Sequence, residues 1–421
     1  MIGRKFEDNN LNGDARVMNL LTSLFGGAGG SQSIVGVFGD SLVAQRFPLF
    51  SANFAYPANT KTVVSQVVGS GTVDYDLNML RVSTGITTES SACIRTKRQL
   101  RYTAGRDAEA MATAVFSPGV EGTYQRFGLI DEEDGLWIGI EGTSFACGRR
   151  KDTGSIIEEE IILQNDFNGD KLDGTGYSGF TIDTTKMNIF RINYGYLGTA
   201  EIKYQIQISV NGVTQFVTFH TIDRRNEYSE THLRLPYLPL CMRVNNGETT
   251  ENMSMKVGSL YAGVFDGVRE DRAARRFSAD VSNDVGVGID NRVAIFHNKA
   301  TFHGLENHIE SNLIYFTAGV QSQSNKTITI DIYRLPNQTQ VDGVWNDVDS
   351  DNSTFEYSVD ETINLTDREL LISFALSPSD SIREFIKDLF VNALPDDYIG
   401  ITVSSAGASE VRLTFRWEEL F

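Results

Sequence analysis

The chain has 421 residues, of which 41% are hydrophobic and 22% charged, with 8 prolines, a composition that fits a soluble globular protein of two or three domains. Its 55 acidic residues outnumber 37 basic ones and give a net charge of -18, a surface that repels phosphate and so excludes nucleic acid as an expected partner. Three cysteines, Cys93, Cys147 and Cys241, are an odd number without metal-ligand spacing, and they read as reduced, buried thiols.

No apolar run approaches the length of a membrane span, and the first residues lack the basic flank and apolar block of a signal peptide. The expectation is synthesis and folding in a cytoplasm, without membrane insertion. Residues 1–48 read as an N-terminal arm. In it Val17, Leu20, Leu21, Leu24 and Phe25 recur at helical spacing, and Gly26-Gly27-Ala28-Gly29-Gly30 stops the helix. The apolar face of this short helix has three open destinations, a neighbouring subunit, a larger particle to which the chain belongs, or its own chain.

The run Ser33 to Phe38 leads into Gly39-Asp40-Ser41-Leu42, which looks like the nucleophile block of GDSL-type esterases and makes Ser41 a candidate nucleophile. A serine nucleophile needs a base and an orienting acid. That family draws both from an Asp-x-x-His element, yet the residues three before His220, His232, His297, His303 and His308 are Val217, Ser229, Ala294, Ala300 and Leu305. Helical signals also nearly vanish after residue 45, whereas the esterase fold alternates strands and helices. Ser41 is therefore rejected as a catalytic residue, and the esterase is kept only as a second alternative.

Residues 49–266 read as one β-sandwich domain. Short apolar runs at Ala110 to Phe116, Phe127 to Ile130 and Leu136 to Ile140 are bounded by Gly, Pro or acidic residues. Asp131-Glu132-Glu133-Asp134 reads as a solvated hairpin tip, since four carboxylates would each need a partner in a core. Ile202, Tyr204, Ile206 and Ile208 alternate with Lys203, Gln205, Gln207 and Ser209, and Asn211-Gly212 supplies a type I′ turn before Val213 to Ile222. Asp166, Asn168 and Asp170 imitate the start of a calcium loop, but Lys171 and Tyr177 stand where an EF-hand has Gly and Glu, and a tight surface turn uses the same residues. Tyr177 and Tyr194-Gly195-Tyr196 are candidate sugar-stacking residues on loops.

Residues 267–278, dense in arginine, read as a charged linker, and 279–421 as a second β-sandwich domain. Within it Ile382, Phe385, Ile386, Leu389 and Phe390 recur at helical spacing after the cap candidate Ser381, which predicts a short helix. His303 and His308 near Glu306 and Glu310 do not share a helical face and read as a solvated loop rather than a metal site. No metal and no cofactor are expected.

Several stretches resemble virion structural proteins of tailed phages and large chlorella-type DNA viruses. They are Gly128-Leu129 with the acidic tip, Gly135-Leu136-Trp137-Ile138-Gly139, Gly142-Thr143, Phe145 and Arg149-Arg150, then Asn168 to Gly174, Asn188 to Ile206, Leu238 to Val244 and Arg412 to Phe421. The resemblance spans most of the chain after about residue 45. It implies a two-domain, all-β (jelly-roll-like) particle component located in the virion, a phage appendage such as a tail fibre or baseplate, or a capsid-associated subunit. Its partners would be other copies of itself, a homotrimer by the resemblance, and other virion proteins. The expectation is a non-enzymatic structural protein, with a receptor- or glycan-binding module of the particle, serving host attachment, as the alternative.

Overall fold

The computed structural model describes residues 46–420 apart from 61, 103, 196, 211, 266–274, 323–326, 336–342, 360–367, 378–379 and 387–390. The arm residues Val17, Leu20, Leu21, Leu24 and Phe25, and Ser41, lie outside the described residues. The chain divides into two compact units, Met1–Gly267 and Val268–Phe421.

Unit 1 is a sandwich of two antiparallel sheets. The eight-stranded sheet runs β13 (Val213–Ile222), β12 (Ile202–Val210), β11 (Asn188–Tyr194), β6 (Ala108–Phe116), β15 (Ser254–Phe265), β4 (Met79–Ser83) and β3 (Thr72–Asp76). The eighth strand, β1 (Arg46–Asn53), lies along the second half of β15. The seven-stranded sheet runs β10 (Ile157–Leu163), β9 (Ser144–Asp152), β8 (Gly135–Glu141), β7 (Tyr124–Ile130), β14 (Leu238–Asn245), β5 (Ser91–Leu100) and β2 (Val63–Val68). The period-2 alternation explains the layering, because one face of each strand must leave water. Ala108, Ala110, Ala112, Ala114 and Phe116 of β6 point into the core, as do Ile202, Tyr204, Ile206 and Ile208 of β12. The β12–β13 hairpin has the expected register, with Val210 opposite Val213 and Gly212 at φ 79°.

Unit 2 repeats the plan with β16 (Arg275–Val285), β28 (Ser409–Leu420), β20 (Glu310–Ser322) and β25 (Ser381–Phe385) in order, and β26 (Asn392–Ala393) added to β20. Its second sheet runs β22 (Asn346–Asp347), β23 (Phe355–Ser358), β17 (Gly288–Asn298), β27 (Tyr398–Ser405), β21 (Ile328–Leu335) and β24 (Glu369–Leu376), and β18 (Thr301–Phe302) pairs with β19 (Leu305–Glu306). Trp417, Phe415, Phe296 and Phe355 share its core. The chain is all-β as expected, and no α-helix occurs among the described residues.

Three local expectations are corrected. Ser381–Phe385 is not the start of a helix but a strand, because Ser381 and Ile382 pair with Gly319 and Ala318 of β20, and sheet formation overrides the helical spacing. Arg275 to Ser278, the end of the expected linker, form strand with Arg416 to Glu419. The acidic tetrad does turn a hairpin, but two of its members are buried. Asp131 Oδ1 accepts from the Glu133 and Asp134 N–H groups, and Asp134 accepts from the Arg234 and Leu235 N–H groups at 2.9 and 3.2 Å. Backbone donors satisfy these carboxylates in place of water.

Glycines admit close contacts at specific places. A Cβ at Gly148 would lie 2.5 Å from Trp137 Cζ2 and 2.5 Å from the Glu160 carbonyl oxygen, whereas one at Gly258 would meet nothing nearer than 3.5 Å. Gly148→Ala is therefore expected to cost about 1–3 kcal/mol in denaturant unfolding through overpacking. Gly258→Ala, the matched control, is expected to be neutral or slightly stabilising.

Candidate functional site: a polar pocket beside β9 and β10

The alternation of β9 that places Phe145 and Cys147 in the core carries Arg149 and Lys151 onto the same side, past the end of the apolar region. On β10, Glu160 and Glu158 stand opposite Arg149 and Lys151 in the register. The connection between β13 and β14 supplies the third wall with Arg224 and with Tyr228 to His232, and together these enclose a cavity of about 210 Å³.

The connecting segment is fixed at several points. The His232 N–H donates to the Gly198 carbonyl at 2.7 Å, Arg149 Nη1 donates to the His232 carbonyl at 2.8 Å, and Arg234 pairs with Asp152. Asp134 holds the following two N–H groups, so the buried end of the acidic tetrad positions this wall. Beside the cavity Glu160 lies between Arg149, at 3.2 Å, and Arg224. Lys151 Nζ meets Glu230 Oε2 at 2.8 Å. Three cations, Arg149, Lys151 and Arg224, thus line the cavity with two carboxylates, Glu158 and Glu230, and Glu160 beside it brings the cluster to balance in a chain of net charge -18.

Two further features mark the surroundings of the cavity. Tyr228 is 57% exposed at the mouth, with the Arg224 guanidinium 5.2 Å from its ring centroid. His232 is 3% exposed, yet its Nε2 has no hydrogen-bond partner. Burial, then Arg149, lowers its pKa, with hydrogen bonding to the Thr199 and Ala200 backbone acting the other way. The imidazole is thus a neutral group whose Nε2 lies beneath the surface. Ser229 and Thr231 add hydroxyls to the lining.

The residues singled out by sequence lie elsewhere or are already engaged. Asp170 is fully buried and accepts from the Leu172 and Ser178 N–H groups, while Asn168 bonds Thr221 in both directions. Asp166 sits in a 3-10 turn, Gln164–Asp166. Of the three residues of the calcium expectation, Asp166, Asn168 and Asp170, the last two thus have side-chain oxygens taken up by backbone N–H groups. No group of three or more His, Cys, Asp or Glu that could hold a metal occurs among the described residues. Tyr194 is buried against Tyr102 rather than displayed on a loop, and Tyr196 lies outside the described residues. Of the tyrosines proposed to stack on sugar, Tyr177 is exposed, but it is not among the residues lining this cavity.

Sequence reasoning missed the pocket. Its one readable signal is the charge-dense segment from Asp223 to Arg234 between two strands, longer than most hairpin connections. A second charged cluster, on the other face of the seven-stranded sheet, is closed on itself. Arg126 lies 4.2 Å above the Trp137 ring and binds Glu141 at 2.8 Å and Glu159 at 2.6 Å.

No family model and no curated protein matches the chain. Among solved structures it is similar to a legume lectin-like domain from Entamoeba histolytica, at 12% identity over 48% of this chain and 90% of that one, TM-score 0.29. It is also similar to the Emp47p carbohydrate recognition domain, at 11% identity over 53% and 98%, TM-score 0.32. A third is a beta-1,3-glucanase from Mycobacterium marinum, at 11% identity over 51% and 98%, TM-score 0.35. The expectation of a non-enzymatic chain is corrected by this set, in which glycosyl hydrolases and a transglycosylase appear, and it is withdrawn. The esterase alternative does not fit the fold, whose described residues lack the helices that family interleaves with strands.

Protonation links the pocket's surroundings to stability. His220 on β13 accepts from the Asn168 N–H at Nδ1, and its pKa is lowered to about 4, first by burial and then by Arg224 and Lys171 against the pull of Glu160. The unfolded chain binds this proton near pH 6.5 and the folded chain only near pH 4, so the unfolded state holds more protons between those values. Stability is therefore expected to fall as pH drops through that window. Denaturant midpoints measured from about pH 7.5 down to about pH 4 should slope less in His220→Gln than in the wild type.

Proposed function

We propose that unit 1 binds carbohydrate, with one sugar residue of a glycan seated in the pocket between β9, β10 and the β13–β14 connection. The observation that carries the reading is the pairing of an exposed aromatic ring, Tyr228, with the donors and acceptors of Arg149, Lys151, Glu158, Arg224 and Glu230 that line the pocket. Sugar rings present apolar C–H faces to stack and hydroxyls that both donate and accept, and a tyrosine offers an apolar body with a polar tip. The volume is below the ~300–1,000 Å³ typical of pockets that hold drug-sized ligands, which suits a single residue with the rest of the glycan outside. The resemblance to virion proteins adds the setting: a particle component, working as an oligomer, whose pocket attaches the particle to a host glycan.

A glycan array on the full-length chain, followed by calorimetric titration of the best binder, tests this. Tyr228→Ala, at an exposed position, should leave the fold intact and weaken binding by about tenfold, which corresponds to ~1.4 kcal/mol. Absence of binding across the array, or affinity unchanged in both Tyr228→Ala and Lys151→Met, would overturn the assignment. Assaying the bound glycan for new reducing ends separates recognition from cleavage.

A further inference from the structure

Cys93 and Cys241 lie on adjacent strands, β5 and β14, on the face of the seven-stranded sheet turned away from the main core. The register sets Cys93 opposite Arg243 and Cys241 opposite Arg95, so the two cysteines are diagonal neighbours across the Ile94–Met242 pair. Their sulfurs are 3.4 Å apart and both thiols are free. An S–S bond is ~2.05 Å long, so about 1.4 Å of approach closes it. Cys241 is packed among Ile130, Trp137 and Ala146, while Cys93 is partly exposed, so the adjustment falls to Cys93. The third thiol, Cys147, points into the main core, away from the pair.

The two thiols have unequal surroundings. The Cys93 pKa is lowered, first by the hydrogen bond with Cys241 and then by Arg243 and Arg95, against burial and Glu132. The Cys241 thiol is pushed well up by the same contact and by complete burial. Arg243 itself lies 3.5 Å from Glu132. A partly exposed thiol with depressed pKa beside a buried one is an attacking and resolving arrangement.

We infer that Cys93 and Cys241 form an intrachain disulfide when the folded protein meets a disulfide oxidant. Cys93 thiolate attacks one sulfur of the oxidant, forming a mixed disulfide and releasing one thiolate. Cys241 then gives up its proton, its sulfur attacks Cys93 Sγ, and the second thiolate of the oxidant leaves. The two electrons lost by the cysteines reduce the oxidant to two thiols, which take up the two protons. The bond ties β5 to β14 and closes a loop between residues 148 apart in the chain.

The full-length protein, folded under reducing conditions, is equilibrated with oxidised and reduced glutathione at graded ratios, acid-quenched, denatured and alkylated. The expected result is a fall from three alkylated thiols to one, a loss of two hydrogens in the intact mass, and a Cys93–Cys241 peptide after digestion. Cys147→Ser should still close the bond, and Cys93→Ser should not. The unfolding midpoint should rise by several degrees on oxidation in the wild type and Cys147→Ser alone. Three reactive thiols at every ratio, bonds between chains instead of within one, or glutathione stably retained on Cys93 would each overturn the inference.

Discussion

Unit 1 depends on how its phenylalanines fit against the alanines of β6. Phe145, Phe167, Phe190 and Phe219 touch one another at centroid distances of 4.8 to 5.8 Å, and Phe116 joins them through Phe190 at 5.9 Å. Ala108, Ala110, Ala112 and Ala114 occupy the same core without side-chain bulk, so large rings fill the space that small residues leave. Phe145 is on β9 and Phe219 on β13, and Phe167 follows the turn after β10. The ring cluster therefore joins the strands and turn that border the pocket, and the pocket inherits the rigidity of the core.

Charge is handled locally. Arg149 and Arg224 share Glu160, Arg126 is held between Glu141 and Glu159 over an indole, and in unit 2 His297 bonds Glu356 at 2.7 Å and Asp396 at 3.2 Å while stacking on Tyr398. Each cation that leaves water finds carboxylates whose geometry offsets part of its desolvation. What separates the pocket from the closed cluster on Trp137 is access: an exposed ring stands beside a cavity in one case, and side chains cover the indole in the other.

Much of the fold is legible in the sequence because alternation is a local property. The β12–β13 hairpin is readable from its alternating residues and one Asn-Gly pair, and β11 and β14 from short apolar runs. Ser381 to Phe385 misleads because five residues contain too few turns to separate period 3.6 from period 2, and its pairing partner, β20, begins 71 residues earlier, at Glu310 against Ser381. The burial of Asp134 is invisible for the same reason, since its donors lie 100 residues along the chain. The pocket is less legible still. Arg149 and the carbonyl it binds are 83 residues apart, and only the sheet order brings them together.

β10 is the edge strand of its sheet and carries Glu158, Glu159 and Glu160 in succession beside exposed Ile157, Ile161 and Leu163. An edge with free backbone groups and apolar side chains is a template on which another strand can add. Here the edge carries three carboxylates, Glu159 held by Arg126 and Glu160 by Arg149 and Arg224, and a row of charged side chains of this kind disfavours the docking of another strand. Glu158, which lines the pocket, thereby also helps to guard the sheet against the addition of a further strand at this border.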